Sequence, residues 1–455
     1  MTMDTKSVSE LLVERALALR AGDIPAAVRQ RAEELLIDVV GLCVAARDTD
    51  YIRALKAAVD ANGPCTAIGH AGSYGPEQAA MINGTAVHGE DFDDTFEGGP
   101  VHSSAPVVPA VLAACERFGR DGRSALLGIV TGVEATCRMS MVVPKGVHRS
   151  GFHPTSVLGT MGAALGVSVA LGLNKQQTVD ALGNAGSMAS GIIEYLAEGA
   201  WTKRLHPGWA SQAGLQAARI SAQGFLGPRT VFEGTHGLMN GFARSREGNY
   251  GVLTEDFGRR WDMEHITFKP YATGTMNQPY IDCALRLRKK GAKPEDVVDV
   301  LCETAEGYLH RLWDPLESKH RPQNEYIAKF SAPFNIAVAF VTGGAGLAAF
   351  TPETVKDPRV LALASKVHYV VDPNNPYPKA YTGHIRMTLK DGSVIEERQP
   401  HIRGGASEPL PREEIEEKFR GNAAFGGWDR QRADAFLASV PKFFDGPVDL
   451  NALRG

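Results

Sequence analysis

Cysteine is scarce: six in 455 residues, at 43, 65, 115, 137, 283 and 302, with no Cys-x-x-Cys pair among them. That spacing offers no ligand set for zinc or an iron–sulfur cluster. Several of the six fall in apolar helical stretches, which predicts small buried hydrophobes and reduced thiols of a cytoplasmic protein. A basic excess is also missing, with 48 Lys+Arg against 52 Asp+Glu and a formal net charge of -4. No nucleic-acid-binding face is therefore expected. No apolar run approaches the length of a membrane span. The opening MTMDTKSVSELLVERALALRAG carries acidic residues and helical periodicity, and does not read as a signal peptide. Gly-x-Ser-x-Gly, a Walker loop and Gly-x-Gly-x-x-Gly are all absent, so neither serine-hydrolase chemistry nor a nucleotide cofactor is signalled. Neither a metal nor a cofactor is expected.

What is present describes a folded chain, 44% hydrophobic and 22% charged, long enough for two domains. From 7 to 60 the periodicity is helical, and Leu35, Leu36, Val39, Val40, Cys43 and Val44 mark a buried helix. Helices resume near Pro76, over Pro106 to Phe118, and over Arg123 to Met139. A helix rich in small residues (Gly159, Gly162, Ala163, Gly166, Ala170) predicts close helix–helix approach. Further helices are expected over Lys175 to Leu196 and Ala210 to Gln223, with Trp201 to Gly208 as the loop between them. No convincing strand pattern precedes about residue 262. Beyond Phe268 the character changes. Val297 to Ala305, Lys366 to Val371, His384 to Lys390 and Val394 to Gln399 read as strands, with Asp391-Gly392 as a hairpin turn. The expectation is a mainly α protein: helical over 1–266, α+β over 267–408, and a helical tail over 409–455 that packs back on the first part.

The chemistry-bearing stretch is HGEDFDDTFEGGPVH, residues 88 to 102. Glu90, Asp91, Asp93 and Asp94 crowd four mutually repelling carboxylates into five positions. One reading is a solvated acidic loop. Against it stand apolar segments on both sides, Phe92 within the cluster, and Thr95 and His102 within reach. A carboxylate beside an imidazole tunes a proton-transfer group near neutral pH. A calcium loop does not fit, because the central glycine is missing and the twelfth position from Asp91 is His102.

Three basic loops accompany it. His153 opens HPTS before a helix whose free N–H groups attract a carboxylate, though Pro154 at N1 equally makes His153 a plain capping neighbour. Lys203, Arg204 and His206 cluster before Pro207-Gly208, which also fits a solvated basic turn. Lys269 precedes Pro270-Tyr271 at the inferred domain boundary, where clefts form. Together they suit a small anionic substrate.

These motifs resemble the MmgE/PrpD family of 2-methylcitrate dehydratases, cis-aconitate decarboxylases and iminodisuccinate epimerases. The likeness lies in His88-x-x-Asp91-Phe-Asp-Asp-Thr95 with His102-Ser-Ser, Gly151-Phe-His153-Pro-Thr-Ser, Thr202-Lys203-x-Leu-His206-Pro-Gly208 and Phe268-Lys269-Pro270-Tyr271. It implies a large helical domain built from both chain ends, a smaller α+β lid, a cofactor-free site and a homodimer. It also implies that Asp91 and Thr95 line the site. His102 and His153 would move protons or orient substrate, and Lys203 and Lys269 would hold carboxylates or act as acid/base partners. His206 and Tyr271, in the same motifs, join the substrate-binding set. The resulting expectation is a hydro-lyase acting on a small di- or tricarboxylate, with a histidine positioned by Asp91 moving the proton. Epimerisation, decarboxylation and a non-catalytic carboxylate binder are the alternatives. Two departures count against decarboxylation: no histidine follows in Ala272-Thr-Gly274-Thr-Met-Asn-Gln278-Pro, and Phe334 stands where the decarboxylase has a tyrosine.

Overall fold

The computed structural model describes residues 6–455, so residues 1–5 of the expected first domain lie outside it. The chain is mainly helical and divides into two compact units. The first comprises residues up to Gly89, Asp93–Ile266 and Ile415–Gly455; the second comprises Glu90–Phe92 and Thr267–Glu414.

In the first unit, helix Ala26–Ala46 buries every residue from Leu35 to Ala46, as an apolar pattern interrupted by Asp38 requires. Helices Gly122–Val142 and Pro154–Leu171 are apolar enough to cross a bilayer by composition, yet 89% and 94% of their apolar windows are buried inside the unit. They are its central pair. The expected close approach is there: a Cβ on Gly162 or Gly166 would stand 2.8 or 2.6 Å from the carbonyl of Gly132 or Gly128. The C-terminal helices belong to this unit. Lys418 pairs with Asp38 at 2.7 Å, both buried, and Arg29 pairs with Asp445 at 2.7 Å. All six cysteines are buried and unpaired.

Three local expectations are corrected. Trp201 to Gly208 is not a loop, because helix Thr202–Ala222 starts there and carries Pro207 inside it. The proline cannot hydrogen-bond back to the Lys203 carbonyl, but Pro207 and Gly208 are buried, and that packing outweighs one lost bond. The helix from Lys175 stops at Met188, because the capping Ala189 is already extended at ψ 140°. Short ladders also precede residue 262: Cys65–Thr66 pairs antiparallel with Ser73–Tyr74. Two-residue strands are too brief to show an alternation.

In the second unit a four-stranded sheet runs in the order Val367–Val371, Val297–Thr304, Gly383–Leu389, Val394–Gln399. The first two strands are parallel and the remaining pairings antiparallel. The hairpin turns at Asp391-Gly392, with Gly392 at φ 84° and the Asp391 carboxylate accepting from the Ser393 N–H at 2.9 Å. Helix Gln278–Lys289 packs on the last two strands and helix Ala332–Thr342 packs on it in turn.

Candidate active site

The acidic stretch is not solvated. Of its five carboxylates only Glu97 is exposed, and each of the others has its own partner. In the first unit, Asp93 is fully buried and accepts from His88 Nδ1 at 2.7 Å, while its other oxygen stands 3.5 Å from His102 Nδ1. Asp94 caps the next helix: its carboxylate accepts from the backbone N–H of Ser103 at 3.1 Å and of Ser104 at 3.2 Å, and from both hydroxyls. Burial and the neighbouring Asp93 nevertheless push the Asp94 carboxyl up to about 7, against those hydrogen bonds.

His102 is held at both ends of its residue. Its backbone N–H donates to Thr155 Oγ1 at 3.1 Å, and its Nδ1 lies 2.7 Å from the Asp94 carbonyl oxygen. A carbonyl only accepts, so Nδ1 carries the hydrogen, and in its neutral form the ring presents its lone pair at Nε2. That is the protonation pattern of a general base. Donation from Nδ1 leaves Nε2 as the nitrogen that could also ligate a metal ion, and His88, Asp93 and His102 lie close enough to bracket one. The His88–Asp93–His102 group is a hydrogen-bonded cluster.

His153 caps helix Pro154–Leu171, with Pro154 at its first turn, and its Nδ1 lies 3.1 Å from Nδ1 of His206. Burial drives both imidazoles toward neutrality: His153 well below its usual range and His206 down to about 4, each further lowered by His88 and Lys203. His206 rides in the second turn of helix Thr202–Ala222. Gly208 lets that helix lie against the one ending in His88, since a Cβ there would collide with the Met81 carbonyl. Ring centroids then separate His88 from His102 by 4.7 Å, His88 from His153 by 5.5 Å, and His153 from His206 by 5.3 Å. Lys203, half-buried one turn before His206, places a cation near the pair. Tyr195 lies edge-on to both, 6.1 and 5.7 Å away.

In the second unit, Lys269 is 1% exposed and donates to the Asp91 carbonyl at 2.8 Å and carboxylate at 3.0 Å. Within the first unit the carboxylate beside His102 is Asp93, and within the second Asp91 pairs with Lys269. Tyr271 donates its hydroxyl to Asp282 at 2.6 Å and also takes a hydrogen bond from Arg403, so this phenol is engaged inside the unit. Thr95 is buried in the first unit. Phe334, the departure noted in the sequence, is fully buried in helix Ala332–Thr342 beside Phe350.

Four further residues escaped the sequence reading. His88 and Asp93 lie inside the quoted motif, but only the fold distinguishes them from their neighbours. Tyr195 and Lys329 belong to no motif and gave no signal.

The family model described as the MmgE/PrpD N-terminal domain matches residues 10–250, and the MmgE/PrpD C-terminal domain model matches residues 271–440. The cis-aconitate decarboxylase of Homo sapiens is 29% identical over 449 residues, covering 94% of this chain and 90% of that protein. That of Aspergillus terreus is 27% identical over 429 residues, covering 88% and 86%. The mitochondrial 2-methylcitrate dehydratase of Yarrowia lipolytica is 23% identical over 353 residues, covering 71% and 65%.

Proposed function

The chain belongs to the MmgE/PrpD family, and from that premise we propose that this lyase removes or returns a proton beside a carboxylate of a small di- or tricarboxylate. The observation that carries the reading is the tautomer of His102: with Nδ1–H given to the Asp94 carbonyl, Nε2 is the base. Asp93, beside His102 and bonded to His88, stabilises the imidazolium formed when the proton is taken. Lys203 supplies a positive charge for a substrate carboxylate and for the enolate that develops on it.

Dehydration is the first reading. His102 Nε2 takes the proton from the carbon next to the carboxylate, and the electron pair forms the double bond. The hydroxyl on the adjacent carbon leaves as water after receiving a proton from the neutral His153–His206 pair. Such a pair can supply it, because sharing one hydrogen between two Nδ1 atoms leaves one ring with an Nε2–H to give. Decarboxylation is the second reading, favoured by the likeness to proteins named cis-aconitate decarboxylase. There carbon dioxide leaves with cleavage of the carbon–carbon bond, and the carbanion takes its proton from an imidazole.

Proton NMR in D₂O with 2-methylcitrate, citrate, cis-aconitate and iminodisuccinate tests both. Alkene appearing from a hydroxy acid supports dehydration, and carbon dioxide released from cis-aconitate supports decarboxylation. Either activity should fall about 10²–10⁴-fold in His102→Ala. No turnover or deuterium uptake by any of the four acids would overturn the proposal.

A further inference from the structure

Glu90, Asp91 and Phe92 belong to the second unit, whereas the residues on either side, His88-Gly89 and Asp93-Asp94, belong to the first. Two buried lysines hold this short insertion. Lys269 takes the Asp91 carbonyl and carboxylate. Lys329, also 1% exposed, donates in the same way to the Glu90 carbonyl at 2.7 Å and carboxylate at 2.6 Å. The lysines share one frame: the Lys329 carbonyl accepts from Asn277 Nδ2 at 3.0 Å and from the Gly274 N–H at 3.2 Å, in the loop that follows Lys269. Between the two clamped carbonyls, Asp91 sits at φ 54°, a left-handed conformation that a non-glycine residue keeps only when its surroundings hold it. Two residues later comes Asp93, whose carboxylate accepts from His88 and stands 3.5 Å from His102.

We propose that Lys329 is a positioning residue for the histidine cluster: by gripping Glu90 it holds the left-handed turn at Asp91, and the turn delivers the Asp93 carboxylate to His88 and His102. A lysine that served only to neutralise Glu90 would need its carboxylate alone. The second hydrogen bond, to the backbone carbonyl, is what fixes a turn.

The test uses the full chain with Lys329→Met, Lys329→Arg and the double variant Lys329→Met with Glu90→Leu, which removes the charge pair without leaving a lone carboxylate. The first readout needs no substrate. In histidine-labelled wild-type protein, the His88 Nδ1 hydrogen, shared with Asp93 at 2.7 Å, should resonate far downfield. It should move upfield or vanish by exchange in both methionine variants and persist in Lys329→Arg. The second readout is turnover of whichever acid the wild type accepts, and it rests on the function proposed above. A loss of about 10²-fold in kcat with KM nearly unchanged is expected. The double variant should regain the wild-type melting temperature without regaining kcat. An unmoved His88 signal in the double variant, or kcat recovering along with stability, would overturn the proposal. A wild type that turns over none of the acids would count against the proposed function, and the His88 signal would still decide the role of Lys329.

Discussion

The Nδ1 atoms of His153 and His206 lie 3.1 Å apart in a buried setting, so one ring must donate the single hydrogen that the other accepts. Burial keeps both rings neutral. Their outer Nε2 atoms are then unlike, one bearing hydrogen and one a lone pair. When the ring bearing Nε2–H gives up that proton, the shared hydrogen moves across to its Nδ1 and the other ring takes a proton at its own Nε2, which exchanges the two roles and resets the pair as an acid.

That exchange gives a graded prediction for His206. Asparagine places an amide close to where Nδ1 stands but has no counterpart of Nε2, so His206→Asn should fold and retain the bond to His153. Its kcat should nonetheless fall about 10²-fold. His206→Ala removes the bond as well and should fall further. Steady-state kinetics on the substrate identified by NMR checks the order; equal activity in wild type and His206→Asn would remove His206 from proton transfer.

Acidification provides a second check. His206 is lowered to about 4 from an unfolded value near 6.5. Between those pH values the unfolded chain binds the proton and the folded chain does not, so this histidine's contribution is present above 6.5 and lost as pH falls toward 4. Asp94 acts with the opposite sign, since its carboxyl is raised to about 7 and the folded state takes up its proton first. Comparing wild type with His206→Asn cancels the Asp94 contribution. The stability advantage of wild type, measured by urea unfolding, should shrink between pH 6.5 and pH 4 by up to about 3 kcal/mol. A pH-independent difference would show that His206 is not held neutral by burial.

The sequence disclosed the outline of this site better than its wiring. The strands from Val297 to Gln399 and the helices of the tail follow from periodicity, because burial imposes a period of 2 or 3.6 that survives in the residues themselves. The four histidine-bearing or lysine-bearing motifs were legible for the same local reason. Illegible was which carboxylate serves which base. Asp91 and Asp93 are two apart on an irregular loop, and the partner of each, Lys269 or His88, is set by tertiary packing. Pro207 misled in the other direction, since its local cost to a helix is real but smaller than the burial gained by helix Thr202–Ala222.

Gly191 should be irreplaceable. Its φ of 115° is open to glycine alone, and a Cβ there would stand 2.7 Å from the Ser156 side chain and 3.3 Å from His206 Nδ1. Its carbonyl also accepts from the His153 N–H at 2.8 Å. Gly191→Ala therefore pushes on both members of the imidazole pair at once. A destabilisation of about 1–3 kcal/mol is expected by thermal unfolding, together with a fall in kcat larger than that loss of folded protein explains at 25 °C. Full activity in folded Gly191→Ala would mean that the pair tolerates displacement and is not a proton-transfer unit.

Lys269 and Asp91 test whether a buried ion pair is there for stability or for shape. Both side chains are nearly inaccessible, and the ammonium also holds the Asp91 carbonyl. Removing one partner takes away half of a buried ion pair, so Lys269→Met should cost about 3–5 kcal/mol, and Asp91→Asn a similar amount. Removing both leaves no charge to desolvate, and the double variant should recover most of that loss in a double-mutant cycle. Activity should not recover with it. The Asp91 carbonyl would still lack its donor, the left-handed turn would relax, and Asp93 would no longer be fixed against His88 and His102. Recovery of stability without activity would assign the pair to geometry, whereas recovery of both would make it a dispensable charge pair.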